Sequence, residues 1–357
     1  MSAAGPPSRL TLIGMRPGGA RAFLHSMELT WIDPARIDER DVAGVVALKV
    51  AAEAVDAPGD APFSRANLLA DIQHGHDGDP SVVGVHRDKR GRVVGVLEYG
   101  FSRWDNAHIG FVEVTVDPEA RGHGLGRALL ESGVDKVRGE GKTMVLSESY
   151  NSPAAVALGT ALGFERASTA LKRRQELIAL DWTSLDHDYA VARGHASDYE
   201  LLRLAGSIPD DLLDEVATMT AAINDAPIDD LDVEDEVFSP ERLRRFERGE
   251  QDRGRRTYRV IARHRATGEL AGHTMSSLET DHPGFGAQYD TSVVRAHRGH
   301  RLGLLLKIEM LRWLGDAEPQ LRVMDTWNAA SNAHMIAINE QLGYRVTRQG
   351  LEWQKHL

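Results

Sequence analysis

The chain has 357 residues, a formal net charge of −11, 42% hydrophobic residues and no cysteine. That length favours two domains over one, and the missing thiols exclude disulfides, thiolate metal sites and a cysteine nucleophile. The negative charge argues against a nucleic-acid partner, and no run of eighteen apolar residues marks a membrane span.

Residues 1–26 mix Pro, Gly and Arg without a long apolar core. They read as a disordered tail and not a secretory signal, which with the absent cysteines fits a cytoplasmic protein. A first unit, 27–180, opens on a short strand at Leu29–Ile32. Asp38 caps a helix running to about Ala54, and a Pro/Asp/Gly loop leads to a second helix after Ser64. Strands follow at Ser81–His86, Val93–Phe101 and Ile109–Val116. Then come a glycine-rich turn at Arg121, a helix, a strand at Thr143–Glu148, a helix after Asn151 and a closing strand after Phe164. The polar stretch 181–188 reads as a linker, and 189–357 repeat the order. Tyr189–Ala192 opens this second unit as a strand. Helices near Asp210–Ala222 and Pro240–Glu250 follow, with strands at Tyr258–Arg263, Leu270–Ser276, Gln288–Val293 and Arg345–Trp353. This order predicts an α+β (mixed α/β) fold, each unit a twisted mixed β-sheet flanked by helices.

Two segments half a chain length apart carry the same motif. Val114-Thr115-Val116 runs into Arg121-Gly122-His123-Gly124-Leu125-Gly126-Arg127, and Val293 runs into Arg298-Gly299-His300-Arg301-Leu302-Gly303. A strand, a glycine turn and a helix N-terminus present converging backbone N–H groups to an anion. The second helix has Leu302, Leu305, Leu306, Met310 and Trp313 on one face. Further on, Asn151 precedes Leu162-Gly163-Phe164, and Asn332 precedes Leu342-Gly343-Tyr344.

The first loop matches the Arg/Gln-x-x-Gly-x-Gly/Ala signature, and the chain from Met27 resembles a tandem pair of GCN5-related N-acetyltransferase (GNAT) domains. That resemblance implies acetyl-CoA as acyl donor, with no metal. It assigns Val114, Thr115, Val116, the Arg121–Arg127 loop and Asn151 to the cofactor in the first unit. In the second unit it assigns Val293, Arg298, Gly299, His300, Arg301, Leu302, Gly303 and Asn332. Arg301 stands where the family has its first glycine, so that pocket is either degraded or uses the guanidinium on phosphate. The implied partner is a small-molecule or peptide amine, and the protein a monomer or homodimer.

Acetyl transfer to an amine needs a group to take the amine proton. Glu113 lies eight residues before Arg121, and Asp290 eight before Arg298. In several family members an acidic residue near this place on the fourth strand is the base. Alternation puts Glu113 and Thr115 on one strand face, opposite Val112, Val114 and Val116. Many members also carry a tyrosine four residues before the final glycine as proton donor. Gly159 and Asn339 occupy those spots here. Tyr99, Tyr150 and Tyr289 are substitutes on nearby strands, and no general acid is assigned. His74-Gly75-His76 lacks further ligands at metal spacing and reads as an exposed loop. The acidic tract Asn224–Glu236 sits where this fold often borders its acceptor site.

Overall fold

The computed structural model describes residues 27–357, so the tail expected at 1–26 lies outside the described residues. The chain packs as two compact units. One holds the described residues up to Ala170 together with Asp229–Glu234 and Arg348–Leu357; the other holds Leu171–Ile228 and Asp235–Thr347.

The first unit runs β1 (Thr30–Trp31), α1 (Glu39–Asp56), α2 (Arg65–Gln73), β2 (Val82–Arg87), β3 (Val93–Gly100), β4 (Ile109–Val116), α3 (Leu125–Gly139), β5 (Met144–Tyr150) and α4 (Pro153–Ala161). Asp38 and Ser64 cap α1 and α2 by accepting from the N–H groups of Arg40 and Asn67, as their side-chain oxygens predict. Strands β1 to β4 pair antiparallel, and β4 pairs parallel with β5. The chain's last strand, β12 (Arg345–His356), closes this unit. From Gly350 to His356 it runs antiparallel to β5, Gly350 opposite Tyr150 and His356 opposite Met144.

Alternation along the strands divides the core. Val83, Val85 and Val96 pack against Val42, Val45, Leu48, Leu68 and Ile72 of α1 and α2. Leu97, Val112 and Val114 turn the other way, onto Leu125, Leu129, Leu130 and Val134 of α3. Burial of each such side chain contributes roughly 1.5–3 kcal/mol.

The second unit takes in the end of β6 (Glu165–Glu176) and then α5 (Trp182–His195), β7 (Tyr199–Ala205), α6 (Leu213–Thr220), α7 (Pro240–Asp252), β8 (Arg255–His264), β9 (Leu270–Glu279), β10 (Phe285–Val293), α8 (Leu302–Ala317), β11 (Val323–Ala329) and α9 (Ala333–Gln341). Strands β7 to β10 are antiparallel, and β10 runs parallel to β11. Leu302, Leu305, Leu306 and Met310 are buried as the helical spacing predicts.

Two expectations fail at the start of this unit. Residues 181–188, read as a linker, are the cap and first half of α5, and Tyr189–Ala192 is helical and not the opening strand, which is Tyr199–Ala205. Trp182, Leu185, Tyr189 and Ala192 follow the helical period, and Asp181 accepts from the Ser184 N–H at 3.1 Å. Polarity on the solvent face hid that period.

Candidate active site

The parallel register of β4 and β5 covers Ile109–Phe111 against Met144–Leu146. Beyond it the register no longer links the two strands, and Val112–Val116 stay paired with β3 on the other side. Glu113 stands two residues past the last β4–β5 pair. It lies opposite Glu98 of β3, and Glu148 of β5 occupies the matching place beyond Leu146. Glu352 of β12 lies opposite Glu148. Four adjacent strands thus carry a carboxylate each in one cross-strand row. Sequence reasoning found only Glu113. The other three needed the strand register, which period-two alternation cannot supply.

The row is electrostatically divided. Lys49 of α1 is buried and forms an ion pair with Glu98 at 2.5 Å. Burial disfavours its charge, but Glu98 and then Glu113 outweigh that and hold the ammonium above its ordinary range. At the other end, burial first, then Glu352 and Glu113, push the Glu148 carboxyl well above the usual value. Burial also raises Glu352, opposed by a hydrogen bond from Ser168. Ser168 in turn donates to Asp229 at 2.7 Å. Part of the acidic tract from Asn224 to Glu236 therefore borders this row. Asp232 N–H donates to Gln354 at 3.0 Å, and the Glu234 N–H to Asn106 at 2.7 Å.

The loop after β4 turns on two of its glycines. Gly122 and Gly124 have φ of 79° and 95°, and a Cβ on Gly122 would meet nothing within 4 Å. Gly124 is the N-cap of α3 without a side-chain cap, so Leu125, Gly126 and Arg127 begin the helix with free-facing N–H donors. These backbone groups suit a pyrophosphate. The Arg121 side chain is engaged elsewhere. Its Nε donates to the Val116 carbonyl at 3.1 Å, and Nη1 and Nη2 donate to Asp56 at 2.8 and 2.6 Å. It ties the loop to the end of α1. His123 is exposed, with Nδ1 2.7 Å from the Arg121 carbonyl, and Arg127 pairs with Glu131 at 3.1 Å.

The second unit repeats this device. Arg298 Nε donates to Val293 at 3.0 Å and its Nη2 to Asp225 at 2.5 Å. Hydrogen bonds from Arg295 and then Arg298 hold the Asp225 carboxyl below its ordinary value. Gly299 has φ of 89°, and Arg301 takes φ of 56° as the N-cap of α8, the place of Gly124. Arg301 and His300 are exposed, Leu302 is buried, and a Cβ on Gly303 would touch Ile338 at 3.5 Å. The surroundings of Asp290 differ. The β9–β10 register shifts between Gln288 and Thr291, so Tyr289 and Asp290 together oppose Met275 in a β-bulge. Behind them Arg259 is buried against His273, whose pKa burial and then Arg259 push well down.

The later motif is only half equivalent. Asn332 caps α9, accepting from Met335 N–H at 3.1 Å. In the first unit that cap is Ser152, accepting from Ala155, whereas Asn151 donates to Gln349 of β12 at 2.6 Å. The extra residue in the first unit is this one-place offset. At the position of the family tyrosine, a Cβ on Gly159 would lie 3.1 Å from the Trp353 indole, which is itself fixed by donation to Ser149 Oγ at 2.9 Å. Asn339 is buried and donates to Asn328 at 2.7 Å. Among the substitutes, Tyr289 is buried and bonded to Glu250 at 3.2 Å, and Tyr99 stacks edge-on with Trp31.

Residues 29–164 match the family model described as the acetyltransferase (GNAT) family. The fold also superposes on a tandem GNAT protein from the clavulanic acid biosynthesis pathway, solved without acetyl-CoA. The TM-score is 0.75 and the identity 26%, covering 92% of this chain and 98% of that one. The chain thus carries a GNAT domain at residues 29–164 and has the fold of a tandem GNAT protein. A GCN5-related N-acetyltransferase from Sphaerobacter thermophilus shares the fold at a TM-score of 0.62 and 18% identity, over 92% of this chain and 95% of that one. The chain is also 34% identical over 180 residues to a mycothiol acetyltransferase of Rhodococcus jostii (strain RHA1). A second such enzyme, from Rhodococcus opacus (strain B4), is 33% identical over 183 residues. Each match takes in 49% of this chain and 55% of the relative, so the chain spans about half the length of the curated relatives it matches.

Proposed function

We propose that the first unit transfers the acetyl group of acetyl-CoA to a primary amine of a small molecule or peptide, by direct attack of the amine on the thioester. One observation carries this reading. Glu113 stands where β4 parts from β5, ahead of an anion loop built on two left-handed glycines. The β4 backbone at Val114, Thr115 and Val116, beyond the last β4–β5 pair, suits the amides of a pantetheine arm, which pair as an added strand. The N–H groups from Gly122 to Arg127 suit the pyrophosphate at the positive end of α3, and Arg121 holds the loop in shape through Asp56. Asn151 borders this site through Gln349. Glu113 takes the proton that the amine sheds.

In the second unit the corresponding groups are Val293, Arg298, Gly299, His300, Arg301, Leu302, Gly303 and Asn332, with Asp290 at the matching offset. Arg301 is exposed at the loop and offers a guanidinium to phosphate. The test is release of free thiol from acetyl-CoA in the presence of amines, aminoglycosides, amino acids, peptides and, on the name its relatives carry, a mycothiol-type acceptor. Acceptor-dependent thiol release is expected. Binding of CoA without release for any acceptor supports the second reading, a CoA-binding protein without turnover, which the Gly159–Trp353 contact in place of a tyrosine favours.

A further inference from the structure

Glu148 has no part in the reading above. It is half-buried on β5, across the β4–β5 opening from Glu113 and one strand from Glu352. The charged groups that face this row come from five elements and one loop. Lys49 of α1 pairs with Glu98 of β3, and Asp71 of α2 acts on Lys49 from further away. Glu113 comes from β4, Glu352 from β12, and Asp229 acts on Glu352 from the loop beyond Ser168. Among these groups the cation, Lys49, sits at the Glu98 end. Glu113 lies opposite Glu98 on the next strand; Glu148 lies beyond, between Glu113 and Glu352, where burial and those two carboxyl groups favour its protonated form. A carboxyl group held protonated in the same row as a second carboxyl group can serve as the acid of an acid–base pair.

We propose that Glu148 is the proton donor to the leaving thiolate in acetyl transfer by the first unit. The inference rests on the proposed transferase reading, and it takes up the function that the tyrosine position, closed by Trp353, does not fill. The amine lone pair attacks the thioester carbonyl carbon and forms the C–N bond. The C–S bond breaks, and its electron pair goes to sulfur. Glu113 carboxylate takes one proton from nitrogen, and Glu148 carboxylic acid gives one to sulfur, so that the amide and free CoA thiol leave. The proton on Glu113 then passes through solvent or directly to Glu148, which restores both groups.

The experiment compares the full chain with Glu148→Gln and Glu148→Asp at saturating acetyl-CoA, using whichever amine of the panel is acetylated. Glu148→Gln is expected to keep CoA affinity, to lose about a hundredfold in kcat, and to lose the fall of kcat at high pH that marks a donor giving up its proton. Glu148→Asp should recover part of the rate and the falling limb. Near-wild-type kcat with an unchanged limb in Glu148→Gln overturns the donor and leaves the transferase standing. A second measurement needs no acceptor. In protein labelled with carbon-13 at the glutamate carboxyl, the signal missing from Glu148→Gln should titrate well above the ordinary glutamate value of 4.5 and move down in Glu352→Gln. Titration at an ordinary value overturns the proposal even if the chain proves an active transferase. Should no amine be acetylated at all, the transferase reading falls and the donor with it.

Discussion

Gly159 and Trp353 lie in contact, the glycine backbone within reach of the indole face so that a Cβ would meet three ring carbons at 3.1–3.2 Å. The two residues are far apart in sequence and meet because the last strand pairs with β5. Trp353 is buried and held by Ser149, so the ring has little room to yield. The space that holds a tyrosine in many family members is therefore filled here from the chain's other end.

Restoring the family tyrosine by Gly159→Tyr should consequently destabilise the protein. Overpacking a filled site costs about 1–3 kcal/mol, more than the helix-propensity gain of leaving glycine. Urea denaturation of the variant measures the loss. An unchanged midpoint would mean that Trp353 moves aside freely.

Gly124→Glu or Gly126→Glu should abolish CoA binding in the first unit. Gly124 sits at φ of 95°, where a side chain is strained, and a carboxylate at the start of α3 repels the pyrophosphate. Calorimetry with CoA reads the result directly. Unaltered affinity removes the assignment of this loop.

Arg301→Gly separates two effects in the second unit. Arg301 holds φ of 56° where the first unit has Gly124, a conformation that costs a non-glycine residue about 1–2 kcal/mol. The variant should therefore be more stable to denaturation. If the guanidinium meets phosphate, the same change weakens CoA binding, and if the pocket is degraded, it strengthens it.

Glu113→Gln should lower turnover by roughly a hundredfold or more while keeping CoA affinity, and the rising limb of its pH–rate profile should change. Asp290→Asn should do so only if the second unit is catalytic. Measured side by side, the pair identifies the working unit. Near-wild-type rates in both would return each carboxylate to a surface role.

The stability of the fold should depend on pH through Glu148. Burial and neighbouring carboxylates raise its folded pKa above the ordinary value of 4.5, so the native state holds a proton that the unfolded chain has lost. Stability is undiminished below the unfolded value and declines as pH rises from there through the folded one. Glu148→Gln should be close to wild type in melting temperature near pH 4 and more stable near pH 8. Lys307 acts with the opposite slope. Burial pushes its pKa down to about 7, so its cost is greatest below that pH and is relieved towards 10.5. Lys307→Met should thus stabilise most at low pH.

Local chemistry alone determined much of this protein. Capping oxygens at Asp38 and Ser64, alternation along β2 to β4, and the glycines of the Arg121 loop each act within a few residues, so the sequence contains them in full. The doubled loop likewise pointed to two units and to the anion site proposed above. Helix α5 was hidden because its polar face outweighed four apolar residues at helical spacing. Tertiary structure alone decided the rest. The pairing of β12 with β5 joins residues about two hundred positions apart, and it brings Glu352 and Trp353 to the first unit. Register likewise set Glu98, Glu113 and Glu148 side by side. A strand's sequence fixes which residues share a face, but not which residue of another strand stands opposite. The carboxylate row, its division by Lys49 and the closed tyrosine position all depend on that choice.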